Sequence, residues 1–159
     1  KEYGIMHRQN RSENEVVVVV KPWSDEKKPV LKEQYRKAIE DYIEPYRLIN
    51  TKVTVESARY AGICVHGKIA LEQDSPKTRK AILERISREL SYTERKHPFG
   101  TVISYGQLFT ALENTEGVKK VLELNLERTG NAARKNDRGD VLLDADALGI
   151  LEETDLEFC

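Results

Sequence analysis

Residues 97–127 read HPFGTVISYGQLFTALENTEGVKKVLELNLE and carry the densest run of structural signals in the chain. Ser104 and Gln107 have the spacing of a capping box, which predicts that a short helix begins there. Gly117 favours the left-handed conformation that ends many helices. The leucines of Leu122–Leu126 then alternate with polar residues, as in a strand with one apolar face. The stretch therefore predicts an aromatic–glycine loop, a short helix and a strand, in that order.

Strand and helix patterns also precede this stretch. Five consecutive valines predict a strand buried on both faces, and apolar residues at three- and four-residue steps predict two amphipathic helices. The predicted elements, in chain order, are strand Val16–Val20, a helix from Pro29 to about Pro45, strands Val53–Val55 and Ile63–Leu71, a helix after the Ser75 cap, and strand Leu122–Leu126. This βαββαβ order is that of a ferredoxin-like α+β fold, in which two helices cover one face of a single four-stranded sheet.

The patterns divide the chain into three segments. Residues 1–14 are polar and without period, so we expect a flexible arm or linker. Residues 15–128 hold the ferredoxin-like domain. Residues 129–159 are predicted to be a flexible loop followed by a C-terminal extension, with short edge strands at Val141–Leu143 and Leu156–Phe158.

Composition limits the functional classes. The 159 residues carry a net charge of −1, which argues against a general nucleic-acid binder. No apolar run approaches the ~18–20 residues of a membrane span, and no signal peptide is visible. Cys64 and Cys159 are too far apart to indicate a disulfide framework, which fits a reducing compartment or a particle assembled inside a cell. Because the chain begins at Lys1 rather than Met, we expect it to be a piece of a longer protein.

Cys64 and His66 are the strongest candidates for chemistry. Residues two apart on a strand share a face, so a metal site or a Cys–His nucleophile is conceivable. Lys68 and Glu72 lie on the same face, which marks it as the solvent side, and no third ligand is near in sequence. We therefore predict no catalytic residue, no cofactor and no metal site. The alternative is a small ferredoxin-like ligand-binding sensor or enzyme that uses Cys64 and His66.

The remaining polar and aromatic clusters have ordinary structural explanations. They are His97 before a proline, His7 in the arm, the basic residues Arg134, Lys135 and Arg138 among acidic neighbours, and a tyrosine stripe on the first helix at Tyr35, Tyr42 and Tyr46. We expect the histidines to be loop residues and the basic cluster to be solvated. The tyrosines are predicted to pack on the sheet with their hydroxyl groups at its edge.

Phe99, Gly100 and Tyr105 form a loop without catalytic groups. The spacing of its glycines matches neither a dinucleotide-binding fingerprint nor a P-loop. An aromatic anchor between glycines packs either into its own core or onto a partner. Both alternatives stay open from sequence, and the three residues are the predicted interface.

The order of the pieces resembles the baseplate J-like family, which comes from contractile-tailed phages and related injection machines. The resemblance covers roughly residues 14–127 and part of the tail. It is carried by Asn14–Pro22, by Pro98–Leu108 with its Pro-Phe-Gly loop, by Glu116–Val121 and by Ala147–Leu151. Glu116 stands where the family usually has proline, and the tail reads Ala-Leu-Gly where leucine-proline is usual.

The resemblance implies a non-enzymatic structural protein of a phage or prophage baseplate wedge. Its implied partners are other baseplate and tail proteins, together with possible copies of itself, and not nucleic acid, membrane or a small-molecule substrate. Its implied location is the virion tail baseplate, assembled in the cytoplasm of the bacterial host. The resemblance carries over no catalytic residue.

Overall fold

A computed structural model describes residues 3–10, 13–92 and 99–159, with side chains described from Glu15 onward. The chain forms two compact units, Lys1–Arg59 and Tyr60–Cys159. The predicted boundaries at residues 14 and 128 do not coincide with this division. The described part of the predicted arm forms a strand, and the predicted extension contributes three strands to the second unit.

The described elements are α+β in composition, with three α-helices among several short sheets. In chain order they are β1 (Tyr3–Asn10), β2 (Glu13–Val20), α1 (Glu33–Ile43), a 3₁₀ turn (Glu44–Tyr46), β3 (Thr51–Ser57), β4 (Arg59–Leu71), α2 (Pro76–Leu90), β5 (Val102–Ile103), α3 (Tyr105–Glu113), β6 (Val118–Thr129), β7 (Ala133–Lys135), β8 (Val141–Leu143) and β9 (Ala147–Phe158).

The amino-terminal unit is a three-stranded sheet of order β1-β2-β3. β1 pairs antiparallel with β2, and β2 pairs parallel with β3, with Val16 opposite Val53 and Val18 opposite Val55. Val17 and Val19 are almost completely buried, while Val16 and Val18 are half-buried. The valine run therefore forms the central strand that its composition predicts.

Helix α1 connects the parallel pair but buries little of itself. It begins at Glu33, one turn later than Pro29 predicts, and ends before Pro45 as expected. The Glu40 carboxylate accepts a hydrogen bond of 3.3 Å from the Val55 N–H of β3. No α1 residue is fully buried; Ile39 is half-buried, whereas Tyr42 is exposed. The prediction that the tyrosine stripe packs on the sheet is therefore wrong.

The main sheet of the carboxy-terminal unit has the order β6-β4-β9. β4 and β6 are antiparallel. Cys159, the residue directly after β9, donates its N–H to the Ile69 carbonyl (3.1 Å) and accepts from the Leu71 N–H (2.8 Å). In a parallel pair, a residue on one strand forms hydrogen bonds with the two residues that flank its opposite residue on the other strand. Cys159 does this with Ile69 and Leu71, which flank Ala70. β4 therefore lies between one antiparallel and one parallel neighbour.

Two helices cover the core of this unit. Ser75 caps α2 by accepting from the Thr78 N–H at 3.1 Å, and Pro76 occupies the first turn, as predicted. α2 packs on β9, α3 packs on β6, and the two helices contact each other. The shared core contains Ile63, Val65 and Ile69 of β4, Ile82, Ile86 and Leu90 of α2, Leu108 and Leu112 of α3, and Leu126 of β6.

A smaller sheet of order β5-β8-β7 completes the unit. Val141 and Leu143 of its central strand are buried, so β8 is not the edge strand that sequence predicts. The segment 129–140, predicted to be a flexible loop, contains β7 and a tight turn. In that turn the Asn136 side-chain oxygen accepts from the Arg138 and Asp140 N–H groups, both at 2.9 Å. The prediction of a flexible loop is therefore wrong for this segment, because β7 and the side-chain hydrogen bonds of Asn136 give it a defined structure.

The ferredoxin-like arrangement is not confirmed. The strands Val16–Val20 and Val53–Val55 pair directly in one sheet, and Ile63–Leu71 and Leu122–Leu126 lie in another. A split βαβ fold inserts a strand between the first two, whereas here β4 has its own partners in β6 and β9. α1 likewise belongs to the first sheet and α2 to the second unit, so no single sheet carries both long helices.

The β6 strand also departs from simple alternation. The pairing of β4 with β6 shifts register between Lys68 and Ile69, so Glu123 and Val121 face successive residues of β4. The extra residue, Leu122, is 47% exposed, whereas Leu126 is fully buried. A bulge inserts one unpaired residue and reverses the facing of the side chains beyond it. The leucine pattern predicted the strand correctly but placed Leu122 on the wrong side.

Candidate interface

The predicted interface residues lie where the chain enters the smaller sheet. We call residues Phe99 to Ser104 the Phe99 segment. Phe99 and Gly100 form a turn, in which Phe99 is half-buried and Gly100 is exposed. Gly100 has φ of +62°, a conformation that glycine adopts without steric cost. The glycine therefore bends the chain so that β5 can start two residues later.

Backbone hydrogen bonds fix this segment on the turn between β8 and β9. The Gly100 N–H donates to the Ala147 carbonyl at 3.2 Å, and the Leu143 N–H donates to the Thr101 carbonyl at 3.1 Å. A Cβ added at Gly100 would lie 3.1 Å from the Ala145 Cα. The segment is thus seated closely on a neighbouring backbone, which gives it a defined shape.

Tyr105 supports the segment from inside the unit. It packs against the hydrophobic core, and its ring lies 6.0 Å from the Phe109 ring, centroid to centroid. The space over the ring is closed by Gly139, whose added Cβ would be 3.5 Å from the Tyr105 Cδ2. Of the two alternatives that sequence left open, Tyr105 favours its own core.

Asp140 joins the start of α3 to the β7–β8 turn. Its carboxylate accepts from the Tyr105 N–H at 2.9 Å and from the Asn136 amide at 3.1 Å. Ser104 caps the same helix by accepting from the Gln107 N–H at 3.4 Å, as the capping box predicts. The Asn136 hydrogen bond, followed by the Tyr105 N–H, holds the pKa of Asp140 below its usual range, because both donors favour the charged form.

The exposed part of the site is small and apolar. Val102 is 49% exposed although it lies in a strand, whereas its neighbour Ile103 is buried and fixes β5 to the core. The outer surface thus consists of Phe99, Gly100 and Val102 beside an edge strand. Such an arrangement can contact another protein through apolar side chains and free strand edge; among these residues we find no group suited to acid–base or nucleophilic chemistry.

Sequence reasoning missed the residues that support this surface. Asp140 and Asn136 lie more than thirty positions from the Phe99 segment in sequence, and the prediction assigned them to a flexible loop. The Asn-Asp-Arg-Gly-Asp string at 136–140 was a readable turn signal. Nothing in the string indicated that its last carboxylate caps a distant helix.

The prediction that Cys64 and His66 lie on the solvent side of β4 is wrong for Cys64, which is buried, whereas His66 is half-buried. Cys64 is buried, and burial, with Glu153 and other nearby carboxylates, raises the pKa of its thiol. The His66 Nδ1 lies 3.8 Å from the Asp155 carboxylate, in a shallow polar groove that also includes Lys68 and Glu123. Cys64 does not line this groove, and a protonated thiol is a poor nucleophile.

The other candidates are placed as follows. Lys135 of the basic cluster donates to the Asn125 side chain at 2.7 Å, and Arg134 and Arg138 are exposed. His97 and the side chain of His7 lie outside the described residues. Within the described ranges, no three His, Cys, Asp or Glu side chains are grouped as metal ligands. No helix in that part of the chain is long and apolar enough to cross a membrane.

Comparison with known proteins finds a likeness among solved structures. No protein-family model matches the chain, and no curated protein matches it. Among solved structures, a chain in the cryo-EM structure of the anti-feeding prophage baseplate, symmetrised six-fold, matches 90% of this chain with a TM-score of 0.65 and 14% identity. The match covers 29% of that chain, so the present chain spans less than a third of its length. At this identity the likeness shows that the two chains share a fold.

Proposed function

We propose that this chain is a structural module of a tail baseplate, in a contractile-tailed phage, a prophage or a related injection machine. The observation that carries the proposal is the likeness in fold to a prophage baseplate protein across 90% of the chain. The Pro-Phe-Gly loop and its following helix resemble the baseplate J-like family independently of that likeness. On this proposal the chain acts at the tail baseplate, after assembly in the host cytoplasm.

The proposed role is to dock neighbouring wedge subunits. The Phe99 segment supports this role, because Phe99, Gly100 and Val102 present an apolar surface. Backbone hydrogen bonds to β8 and β9 hold the segment in place. A surface held rigid before binding loses little conformational freedom on docking. Aromatic side chains at the centre of such contacts often carry most of the binding energy. Tyr105 is assigned a supporting position and not a contact.

A co-assembly experiment tests this role. The double variant F99A/V102S should co-purify poorly with the neighbouring baseplate proteins expressed from the same gene cluster. If Phe99 is an anchor worth ~2 kcal/mol, the affinity falls about thirtyfold. Leu83→Ser is the matched control, because Leu83 is 45% exposed on α2 and lies outside the Phe99 segment.

The melting temperatures of all variants show whether a variant co-purifies poorly because it has lost a contact or because it is less stably folded. We expect each variant to melt within a few degrees of the parent, because only surface and half-buried side chains are changed. Unimpaired co-purification of the double variant would refute docking through this segment. An equal loss in the Leu83 variant would mean that the assay responds to any exposed apolar residue.

The proposal also assigns no enzymatic activity to the chain. A thiol-alkylation experiment addresses the alternative, in which Cys64 and His66 react. With iodoacetamide at neutral pH, Cys159, which is exposed, should react at the rate of an ordinary thiol, while Cys64, which is buried with a raised pKa, should react far more slowly. Comparing the C64S and C159S variants assigns each rate. A Cys64 that reacts faster than Cys159 would favour the enzyme.

A further inference from the structure

The two halves of β9 are held in the carboxy-terminal unit in different ways. Its first four residues, Ala147–Ile150, are all buried, whereas none of its last eight residues is buried. Gly149 lies so close to the smaller sheet that an added Cβ would be 2.8 Å from the Ile103 Cδ1 and 3.3 Å from the Leu143 Cδ1. The Ala147 carbonyl also accepts from the Gly100 N–H at 3.2 Å. The first half of β9 is therefore fixed between other elements.

Residues 151–159, which we call the strap, are held on their outer side by exposed ion pairs. The Glu157 carboxylate lies 3.3 Å from the Lys68 Nζ, and the Asp155 carboxylate lies 3.8 Å from the His66 Nδ1. The side chains of Glu157 and Asp155 are 74% and 75% exposed. Pairs this exposed contribute little to stability, because water and salt screen them.

On its inner side, the strap contacts the core through side chains that are only partly buried. These side chains are Leu151, Leu156 and Phe158. The Arg79 guanidinium of α2 lies 5.0 Å from the centroid of the Phe158 ring, and the Asp74 carboxylate accepts from the Arg79 Nε–H at 2.7 Å. Because a cation is attracted to the face of an aromatic ring, the first turn of α2 holds the strap at Phe158.

The strap covers the Cys64 side chain of β4. Cys64 is 7% exposed, and its thiol is in hydrogen-bonding contact with the Glu153 backbone. At the other end of the strap, the Leu71 N–H of β4 donates to the Cys159 carbonyl at 2.8 Å. Displacement of the strap would therefore expose the Cys64 thiol and break the hydrogen bond of the Leu71 amide. The two groups report on the strap at separate points along its length.

We propose that the strap opens as one unit while the rest of the carboxy-terminal unit stays folded. Segments with few buried apolar contacts open at a lower free-energy cost than the core on which they rest, and the loss of burial at Leu151 marks where the open part begins. Opening exposes Cys64 and frees the backbone groups of β4 that face β9. The inference goes beyond the proposed function, since it concerns a different part of the unit and is tested on the purified chain alone.

Thiol labelling and hydrogen exchange of the purified full chain test the proposal. In the C159S variant, Cys64 is the one remaining thiol, so its reaction with excess iodoacetamide measures an opening constant. Exchange of the Leu71 amide measures a second opening constant, and the slowest-exchanging amides of the carboxy-terminal unit measure global unfolding. We expect Cys64 and Leu71 to give equal constants that exceed the constant for global unfolding at least about tenfold.

Two kinds of variant separate strap opening from global unfolding. Phe158→Ala removes the ring beneath Arg79 and should raise both opening constants about tenfold. Leu112→Ala should speed exchange at the slowest amides and leave both opening constants unchanged, because Leu112 is fully buried on α3 and stays packed when the strap opens. Val141→Ala, a smaller change at another fully buried position, replaces Leu112→Ala if that variant does not fold. The matched surface control is Leu83→Ala on α2, which should change neither constant.

Three results would overturn the proposal. Leu112→Ala could raise Cys64 labelling and global unfolding by the same factor, which would mean that Cys64 is reached only when the whole unit unfolds. Phe158→Ala could leave Cys64 labelling unchanged, which would mean that the strap does not control access to the thiol. Cys64 and Leu71 could give different opening constants, which would mean that the strand frays gradually and does not open as one unit.

Discussion

Replacing Gly100 with alanine tests whether the Phe99 segment is seated on the backbone as described. The residue has φ of +62°, and an added Cβ would lie 3.1 Å from the Ala145 Cα. Two penalties therefore combine at one position. An L-residue in the left-handed region costs ~1–2 kcal/mol, and crowding against a neighbouring backbone adds ~1 kcal/mol or more.

Gly130→Ala is the control that isolates the second penalty. Gly130 has φ of +78°, but nothing lies within 4 Å of its added Cβ. Part of the cost is recovered in both variants, because alanine reduces the freedom of the unfolded chain by ~0.4–1 kcal/mol. We expect a loss of about 1 kcal/mol for Gly130→Ala and about 2 kcal/mol for Gly100→Ala.

Urea unfolding followed by circular dichroism measures both values. Fluorescence is less suitable, because the one tryptophan, Trp23, belongs to the amino-terminal unit. In hydrogen exchange, the Leu143 amide, which donates to Thr101, should lose protection in the Gly100 variant and not in the Gly130 variant. Equal losses of stability in the two variants would refute the close seating of the segment, and unchanged Leu143 protection would do the same.

Two further predictions concern the bulge in β6 and the pH dependence of the α3 cap. Leu126→Ala should lower the free energy of unfolding in urea by about 3 kcal/mol, because Leu126 is fully buried. Leu122→Ala on the same strand should lower it by less than about 1 kcal/mol, because Leu122 is 47% exposed. Similar losses of stability in the two variants would contradict the bulge. The pKa of Asp140 is lowered by hydrogen bonds from Asn136 and the Tyr105 N–H, so its stabilising effect is present above the ordinary Asp pKa and is lost as pH falls through the lowered value. Asp140→Asn should therefore be less stable than the parent near pH 7, and the difference should shrink as the pH falls below the ordinary Asp pKa. A difference that stays constant into acid would mean that the substitution acts through the changed hydrogen-bonding geometry and not through the lost charge.

Local signals predicted the elements of this chain better than their arrangement. The valine run and the Ser75 and Ser104 caps each depend on residues within a few positions of one another, and each appears as predicted. β4 is a strand as predicted, but its residues 61–65 are all buried, so its apolar and polar residues do not simply alternate between core and solvent. The pairing of β4 with β9 depends on residues far apart in sequence. The six strands and helices of the βαββαβ order fit more than one sheet topology, so order alone could not decide between one sheet and several.

In the candidate interface, too, local sequence patterns predicted some features, and residues distant in sequence determine the others. Phe99 and Gly100 were identified from an aromatic–glycine pattern, and their role as a contact stays a prediction. Tyr105 belongs to the same pattern but packs inward, because Asp140 and Gly139 close over it from another part of the chain. The amphipathic pattern likewise predicted helix α1 but not what its tyrosines contact. A stripe of tyrosines has the same helical periodicity whether it faces a sheet or the solvent.

The parallel pairing of β4 with β9 also has a consequence during biosynthesis, because β4 is synthesised well before the strand that it pairs with. Ile69 and Cys159 are partners separated by 90 residues. At ~5–20 residues per second, a ribosome needs about 5–20 s to make the intervening chain. During that interval one edge of β4 has no partner, and such an edge can pair with other nascent chains. Slower translation or crowded polysomes should therefore lower the yield of folded carboxy-terminal unit, even where the finished protein is stable.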